Sequence, residues 1–333
     1  MARHTPEVAG IETSNDGAAR PGSGRASALA AGRVAAYCEV PNVVCGLVWR
    51  YTGAATCIWN QRDTHPFTLA DGFVRRSLRA TPVIVSNSEH GADYLVAHHD
   101  APRDRIRVVP NGVALAPARE GRGAWRQRLG LAPDDLVFCS LAHLYVRKDH
   151  ETLLRGWQRA RAFLDGSTPG TLVLAGRPEG RREVLEALAR ELRIEDSVRF
   201  VGDVDDVAGL LGASDVGVLS SPTEGCPNAL LESMAAGLPV VGTDIPGIRE
   251  VLGQVEEPFL VLVGDAESLG GVLARLSLDG ELRARAGERS RKHQLALFGA
   301  DRMLETSVRL IVDALAATGR TPEPEGAYAG AYL

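Results

Sequence analysis

Short apolar runs alternate with stretches of helical periodicity from Val34 to Ala317. In the first third, Val34 to Cys38, Ala54 to Trp59, Val83 to Val85 and Ile106 to Val109 read as strands, while Asn42 to Tyr51, Phe67 to Leu78 and Glu89 to His98 fit helices. Beyond Leu136 the alternation is regular. Strands are predicted over Leu136 to Leu141, Thr171 to Ala175, Val198 to Val201, Val216 to Leu219, Pro239 to Gly242 and Phe259 to Val263. Helices are predicted between them over His150 to Leu164, Gly180 to Leu192, Asp205 to Leu211 and Asn228 to Ala236, and Ala266 to Ala317 is helical. Strands separated by helices of this length build right-handed βαβ units and parallel sheets covered on both faces, with ligands at the carboxyl ends of the strands. The fold class is therefore α/β.

The pattern also divides the chain. Residues 1–32 are Gly, Ala, Ser, Pro and charge without apolar periodicity, and residues 318–333 are similar; both are expected to be disordered tails. The turn signal Pro110-Asn111-Gly112 and the Pro/Arg/Gly-rich stretch Ala116 to Gly123 read as a linker, which places a domain boundary near residue 116. The expected units are a short N-terminal domain over 33–115, a C-terminal domain over 116–300, and a final helix over 301–317 placed to pack back on the first.

Composition narrows the class of partner. At 333 residues and 45% hydrophobic, the chain can fill about two cores, and a net charge of -5 gives no general attraction to nucleic acid or anionic lipid. No run of about 18 apolar residues is present, so no transmembrane segment is expected, which still leaves room for peripheral membrane contact. Five cysteines, Cys38, Cys45, Cys57, Cys139 and Cys226, form no CxxC pair and mostly sit in apolar runs, as expected of a reducing, cytoplasmic compartment. No His/Cys cluster has zinc spacing.

The most informative segment runs from Ser220 to Val241 and contains Thr223-Glu224-Gly225-Cys226-Pro227-Asn228-Ala229 and Leu231-Glu232. A buried strand ends near Leu219, a loop follows, and a helix opens near Asn228 and stops at Gly237. The helix start then faces the ligand edge of the sheet, where free N–H groups and the positive dipole end suit a phosphate. Glu224 and Glu232 bracket that position. Carboxylates beside a bound diphosphate are tolerable where each faces hydroxyls, so the spacing suggests a nucleotide sugar, with a sugar on one side and a ribose on the other. Two glutamates could equally just solvate and cap a surface helix.

Lys148 follows the strand ending at Leu141 and precedes a helix that Asp149 can cap. All but two of the 37 Lys and Arg residues are arginine, so a lysine here suggests a compact cation meeting a phosphate as a point charge. It is expected to be a partly exposed cation whose truncation affects folding stability little.

Two glutamates seven residues apart followed by Ala235-Ala236-Gly237-Leu238-Pro239-Val240-Val241 closely resemble the donor motif of family 4 glycosyltransferases of GT-B fold. The resemblance extends over Val83 to Glu250, including Val83 to Ser88, Val108 to Val113, Val173 to Gly176, Val201 to Val204 and Pro246-Gly247-Ile248-Arg249-Glu250. It implies two Rossmann-like domains, the N-terminal one incomplete here, and a retaining, metal-independent transferase that needs no cofactor beyond its nucleoside-diphosphate sugar donor. It implies that Glu232 meets the ribose, that Glu224 meets the transferred sugar and, with Lys148, serves catalysis, and that Gly225 and the amides of Cys226, Asn228 and Ala229 face sugar and diphosphate. Lys148 would meet the diphosphate and the backbone of Val204 the nucleobase. The family's usual arginine five residues before the lysine is His143 here, and Arg147 could substitute or be an ordinary surface arginine.

Asp203-Val204-Asp205 also reads as the metal-binding D-x-D of the other large glycosyltransferase fold, which would make the Lys148 arrangement redundant. Asn60, Arg62, Asp63 and His65 follow a strand and are acceptor-side candidates, against an ordinary polar loop. The acceptor class is open among small molecules, lipid-linked compounds and glycans. The alternatives to a transferase are a nucleotide-sugar-binding pseudoenzyme or subunit without a complete acceptor domain, and a GT-B sugar-nucleotide epimerase.

Overall fold

The computed structural model describes residues 33–36, 39–62, 69–164, 170–253 and 259–319. The tail expected over 1–32, and that over 318–333 beyond residue 319, lie outside the described residues, as do Cys38, Asp63 and His65.

Two all-parallel sheets carry the chain. In the first, β1 (Arg33–Ala36), β2 (Thr56–Gln61), β3 (Val83–Ser86) and β4 (Ile106–Val108) lie in sequence order, joined through α1 (Glu39–Val48), α2 (Asp71–Ala80) and α3 (Glu89–His99). Ile58 stands opposite Val83 and Gln61 opposite Ser86, so β2 and β3 end together. Trp59, Val74, Leu78, Ile84, Leu95 and Ile106 fill the core of this unit.

The second sheet has six strands in the order β10-β9-β8-β5-β6-β7. After α4 (Arg122–Leu129), the chain forms β5 (Val137–Leu141), α5 (His150–Phe163), β6 (Thr171–Ala175), α6 (Arg182–Glu191) and β7 (Val198–Gly202), moving outward along one side. It then returns through α7 (Val207–Ala213) to β8 (Val216–Leu219) beside β5, and continues through α8 (Asn228–Ala235), β9 (Val240–Thr243), α9 (Pro246–Leu252) and β10 (Phe259–Val261). Every residue of β6 is buried, as its unbroken apolar run requires of a strand with helices on both faces. Trp157 of α5 is buried against Phe138 with ring centroids 5.1 Å apart, and its indole N–H donates to Ser197 Oγ at 3.0 Å.

The helical end resolves into α10 (Ala266–Leu278), α11 (Gly280–Leu297) and α12 (Ala300–Ala316). Asp279 separates the first two and caps α11 by accepting the Leu282 N–H at 2.8 Å. The linker is tied to this end: Val113 N–H donates to Phe298 O at 2.8 Å, and Gln294 Nε2 to Val113 O at 2.8 Å. Met303 of α12 accepts the Gly112 N–H at 3.1 Å, while Leu304, Val308 and Val312 of the same helix stay exposed.

Two helices were not predicted as helices. The end of the stretch read as linker turns into α4, where Trp125 and Leu129, one turn apart, are buried. α9 opens on Pro246 at its first turn and buries Ile248, Val251 and Leu252. α7 begins at Val207 rather than Asp205 because Asp206 caps it, accepting the Gly209 N–H at 3.1 Å.

Arg126 of α4 is 3% exposed and closes the bottom of the second sheet. Its NH1 donates to the carbonyls of Ala132, Pro133 and Asp135 at 3.1, 2.9 and 2.6 Å, and NH2 meets Asp215 at 2.9 Å. Asp215 in turn accepts the Val137 N–H of β5 at 2.8 Å. Arg126→Ala would leave three carbonyls without their donor and Asp215 with only Arg122 and the Val137 N–H, so urea unfolding should show a loss of about 2 kcal/mol or more. A loss under about 1 kcal/mol would mean that water replaces the guanidinium freely.

Candidate functional site

The sheet order changes direction between β5 and β8, and in such sheets the crevice outside the carboxyl ends at that point takes the ligand. The loops that leave β5 and β8 build a cleft of about 650 Å³ there, closed on its other wall by Arg62, Asn87 and Asn111 of the first unit. Lys148, Glu224, Gly225, Cys226, Asn228, Ala229, Glu232, His143, Arg147 and Val204 all line it. The β5 loop is fixed by Ser220, whose Oγ donates to the carbonyls of Lys148 and Asp149 at 3.0 Å each. Asp149 takes a left-handed turn (φ 48°) and caps α5 by accepting the Thr152 N–H at 3.2 Å. Sequence position thus becomes side-chain position: the lysine before the cap is aimed across the strand ends.

There Lys148 Nζ meets Glu224 Oε1 at 2.5 Å, with the two side chains 28% and 13% exposed. Lys148 is the partly exposed cation expected, but this contact revises the expectation that its truncation affects stability little. Truncating Lys148 would strand a part-buried carboxylate, so its effect on stability exceeds that of a surface residue.

α8 begins with Pro227 at its N-cap, which has no side chain able to cap; the Leu230 N–H turns back to Pro227 O at 3.2 Å, and the amides of Asn228 and Ala229 are left for a ligand. Glu232 lies one turn further in, half-buried, and burial raises its pKa above the ordinary carboxylate value. Gly225 is confined: a Cβ there would lie 2.7 Å from Asn87 Oδ1 and 3.2 Å from Arg62 O. Gly247 at the start of α9 is tighter still, because its Cβ would lie 2.1 Å from Glu224 O. The glutamate's backbone is wedged between both units.

His143 Nδ1 accepts the Arg177 N–H at 3.1 Å, which fixes the neutral ring with its proton on Nε2. Its edge meets Tyr145 with ring centroids 5.9 Å apart. Arg147 is exposed at the rim. Asp203 pairs with Arg177 at 3.3 Å, and the neighbouring Asp206 accepts Trp125 Nε1 at 2.8 Å together with the amides of Arg119 and Glu120 at 3.0 and 3.1 Å. These donors, the Trp125 indole first, hold the Asp206 pKa down at about 2. No group of three or more His, Cys, Asp or Glu that could hold a metal occurs among the described residues.

Of the acceptor-side candidates, Arg62 lines the cleft, whereas Asn60 does not: β2 extends to Gln61, so Asn60 is a strand residue whose backbone N–H and C=O pair with the amide of Asn42 at 3.0 and 2.9 Å. Asp63 and His65 lie outside the described residues. The site also uses residues not singled out individually from the sequence. Asn111 Nδ2 donates to Cys226 O at 2.7 Å and to Asn228 Oδ1 at 2.8 Å, and its Oδ1 accepts from Arg62. Glu250 of α9 accepts the Glu89 and His90 amides at the start of α3 at 2.8 and 2.7 Å. Asn87, Asn111 and Glu250 all sit inside the motifs that carried the resemblance, which was the available signal.

The fold and this cleft define a two-sheet GT-B architecture. The family model "Glycosyl transferases group 1" matches residues 121–293 and that of "Glycosyltransferase Family 4" residues 51–116, and the chain belongs to the group 1 glycosyl transferases. It is similar to the D-inositol 3-phosphate glycosyltransferase of Acidothermus cellulolyticus, 34% identical over 70% of this chain and 53% of the relative. It is also similar to the lipopolysaccharide core biosynthesis glycosyltransferase LpsE of Rhizobium meliloti, 32% identical over 62% of this chain and 57% of the relative. The chain thus spans about half the length of the curated relatives it matches. Among solved structures, Anabaena HepE in complex with UDP shares the fold with a TM-score of 0.75 at 17% identity, covering 85% of this chain and 79% of that one.

Beside the cleft, His150 is 3% exposed, neither ring nitrogen has a partner among the described residues, and it faces a cavity of about 170 Å³. Burial, and then the charges of Lys148 and Arg181, push its pKa down from 6.5 to about 4. Between those values the unfolded chain binds a proton that the folded chain refuses. This contribution to stability is therefore whole above pH 6.5 and falls by up to about 1.4 kcal/mol per pH unit as pH drops toward 4. Urea unfolding from pH 7 to 4.5 should show a shallower pH slope for His150→Leu than for the parent chain; parallel slopes would mean that the buried ring protonates without penalty.

Proposed function

We propose that the chain is a metal-independent, retaining glycosyltransferase that takes its sugar from a nucleoside-diphosphate sugar. The observation that carries this is Lys148 held across the strand ends beside the uncapped start of α8, with Glu224 and Glu232 on either side. The donor diphosphate would lie on the α8 amides and take Lys148 from Glu224. Glu224, so released, would accept hydroxyls of the transferred sugar, while Glu232 accepts from the ribose and the backbone at Val204 faces the base. UDP bound to the structural neighbour HepE supports a uridine nucleotide as the first donor to try.

The chemistry follows from charge. As the bond from the anomeric carbon to the diphosphate lengthens, negative charge grows on the leaving oxygen, where Lys148 and the helix start stabilise it. The acceptor hydroxyl attacks from the same face, retaining configuration, and its proton passes to the departing phosphate. No covalent nucleophile and no cofactor are needed. His143, donating from Nε2, stands in as a neutral partner for a second phosphate oxygen. Reaction in the cytoplasm fits the reduced cysteines, and the acceptor is a small molecule, a lipid-linked compound or a glycan.

The deciding experiment incubates the full chain with UDP-, GDP-, ADP- and TDP-sugars and follows binding and nucleotide release, with and without chelator. Turnover should survive EDTA; loss restored by manganese would sink the metal-independent reading. Binding without turnover would favour a nucleotide-sugar-binding pseudoenzyme, a reading that the four described strands of the first sheet keep open. With the donor found, Lys148→Ala should lower turnover by about 100-fold or more, and Lys148→Arg by less, because it keeps the charge but not the compact ammonium. Turnover untouched in the alanine variant would remove the lysine from the mechanism.

Glu232→Ala provides a separate check on the ribose assignment. It should weaken the free nucleoside diphosphate and the nucleotide sugar by the same factor, on the order of 10-fold for a hydrogen bond to a charged group. Isothermal titration with both ligands reads this directly, and an unchanged affinity for the free nucleotide would refute it.

A further inference from the structure

Three charged side chains near the Cys226 thiol act on it together: Arg62, Glu250 and Glu224. Both carboxylates are already engaged. Glu224 holds Lys148, and Glu250 holds the first two amides of α3. Arg62 is left over. It is half-buried, lies at the end of β2 on the wall that the first unit contributes, and forms no ion pair among the described residues. Three other half-buried arginines answer a carboxylate, Arg75 with Asp71, Arg161 with Asp196 and Arg181 with Glu151, while Arg199 and Arg283 donate to backbone carbonyls outside the cleft. An unanswered guanidinium in such a place carries a desolvation cost that an incoming anion would offset.

Arg62 is also held in one pose by neutral groups. Its carbonyl accepts Asn87 Nδ2 at 3.1 Å, and its NH1 donates to Asn111 Oδ1. Asn111 is in turn fixed on the donor loop through Cys226 O and Asn228 Oδ1. With one NH1 hydrogen used, the edge formed by Nε and NH2 remains, a planar fork that matches an oxyanion with two parallel hydrogen bonds. Arg62 is the one charged residue among the described lining residues that the first unit contributes. The diphosphate has its own cation and helix start on the opposite wall.

We infer that the second substrate carries an oxyanion, a phosphate monoester or a carboxylate, and that Arg62 takes it as a fork while Asn111 sets the fork's distance from the donor loop. This rests on the donor-site reading proposed above, and it adds a chemical class for the acceptor.

The test saturates the full chain with the nucleoside diphosphate that binds best and then titrates inorganic phosphate, acetate and uncharged glycerol, following heat or melting temperature. Phosphate or acetate should bind to the nucleotide complex and glycerol should not, and the tighter of the two anions identifies the acceptor's group. Arg62→Gln should weaken that second binding at least about 10-fold, and Arg62→Lys by an intermediate factor, since a point charge replaces a fork. Nucleotide affinity, measured in the same titrations, reports folding. A nucleotide complex that binds neither anion, or binds them equally in Arg62→Gln, overturns the inference. So does a loss of nucleotide affinity as large as the loss of anion affinity, which would give Arg62 to the diphosphate instead. Failure of every nucleoside diphosphate to bind would sink the donor reading itself, and the acceptor class with it.

Discussion

The arrangement of this site depends on the reversal of strand order beside β5. Because β5 is laid down first and β8 returns to its free side, two loops far apart in sequence leave the sheet at adjacent strand ends. Parallel strands make this unavoidable, since every strand delivers its carboxyl end to the same edge. Lys148 and Glu224 meet there without either loop being long. Ser220, at the very end of β8, then locks the β5 loop by its hydroxyl, so the cation's position is set by the sheet itself.

The two units are joined at this edge by polar contacts rather than by a shared apolar core. Asn111 reaches the donor loop, Glu250 caps α3 from the other unit, and Gly225 and Gly247 let backbone pass where a Cβ would collide. The four free amides at the start of α3 show how closely this is matched. Two go to Glu250, Gly91 N–H goes to Ser88 Oγ at 3.0 Å, and Ser88 N–H to Ser86 Oγ at 3.4 Å. Contacts of this kind are individually modest and exchange readily with water, unlike a shared apolar core.

Local patterning made most of the architecture legible. The runs Thr171 to Ala175 and Val216 to Leu219 become strands with those same limits, because an unbroken apolar run of that length is buried on both faces wherever it falls. α4 escaped because its helix carries four polar or charged residues around Trp125 and Leu129, and its stability comes from Arg126 reaching carbonyls that only the tertiary fold brings near. That the motif glutamates and Lys148 line one cleft was legible from their position at a strand end or helix start. Their contact was not, since nothing in the separation of residues 148 and 224 says that β5 and β8 are neighbours. Asn60 failed for a register reason: two more residues of β2 paired with β3 move it from loop to strand.

The ion pair between Lys148 and Glu224 bears on how such a site would favour the transition state over the bound donor. A cation left bare would attract a diphosphate strongly in the ground state, and that gain deepens binding without speeding the reaction. Here the ammonium already has a part-buried partner, so a phosphate that takes it gains only the difference between two carboxylate-like contacts. On the donor-site reading proposed above, as charge builds on the leaving diphosphate its contact with Lys148 would strengthen, while Glu224, turned to the sugar, would face the positive charge developing at the anomeric carbon. Both changes would come at the transition state and neither would require a further residue to enter the cleft, since Lys148 and Glu224 already lie 2.5 Å apart at the strand ends.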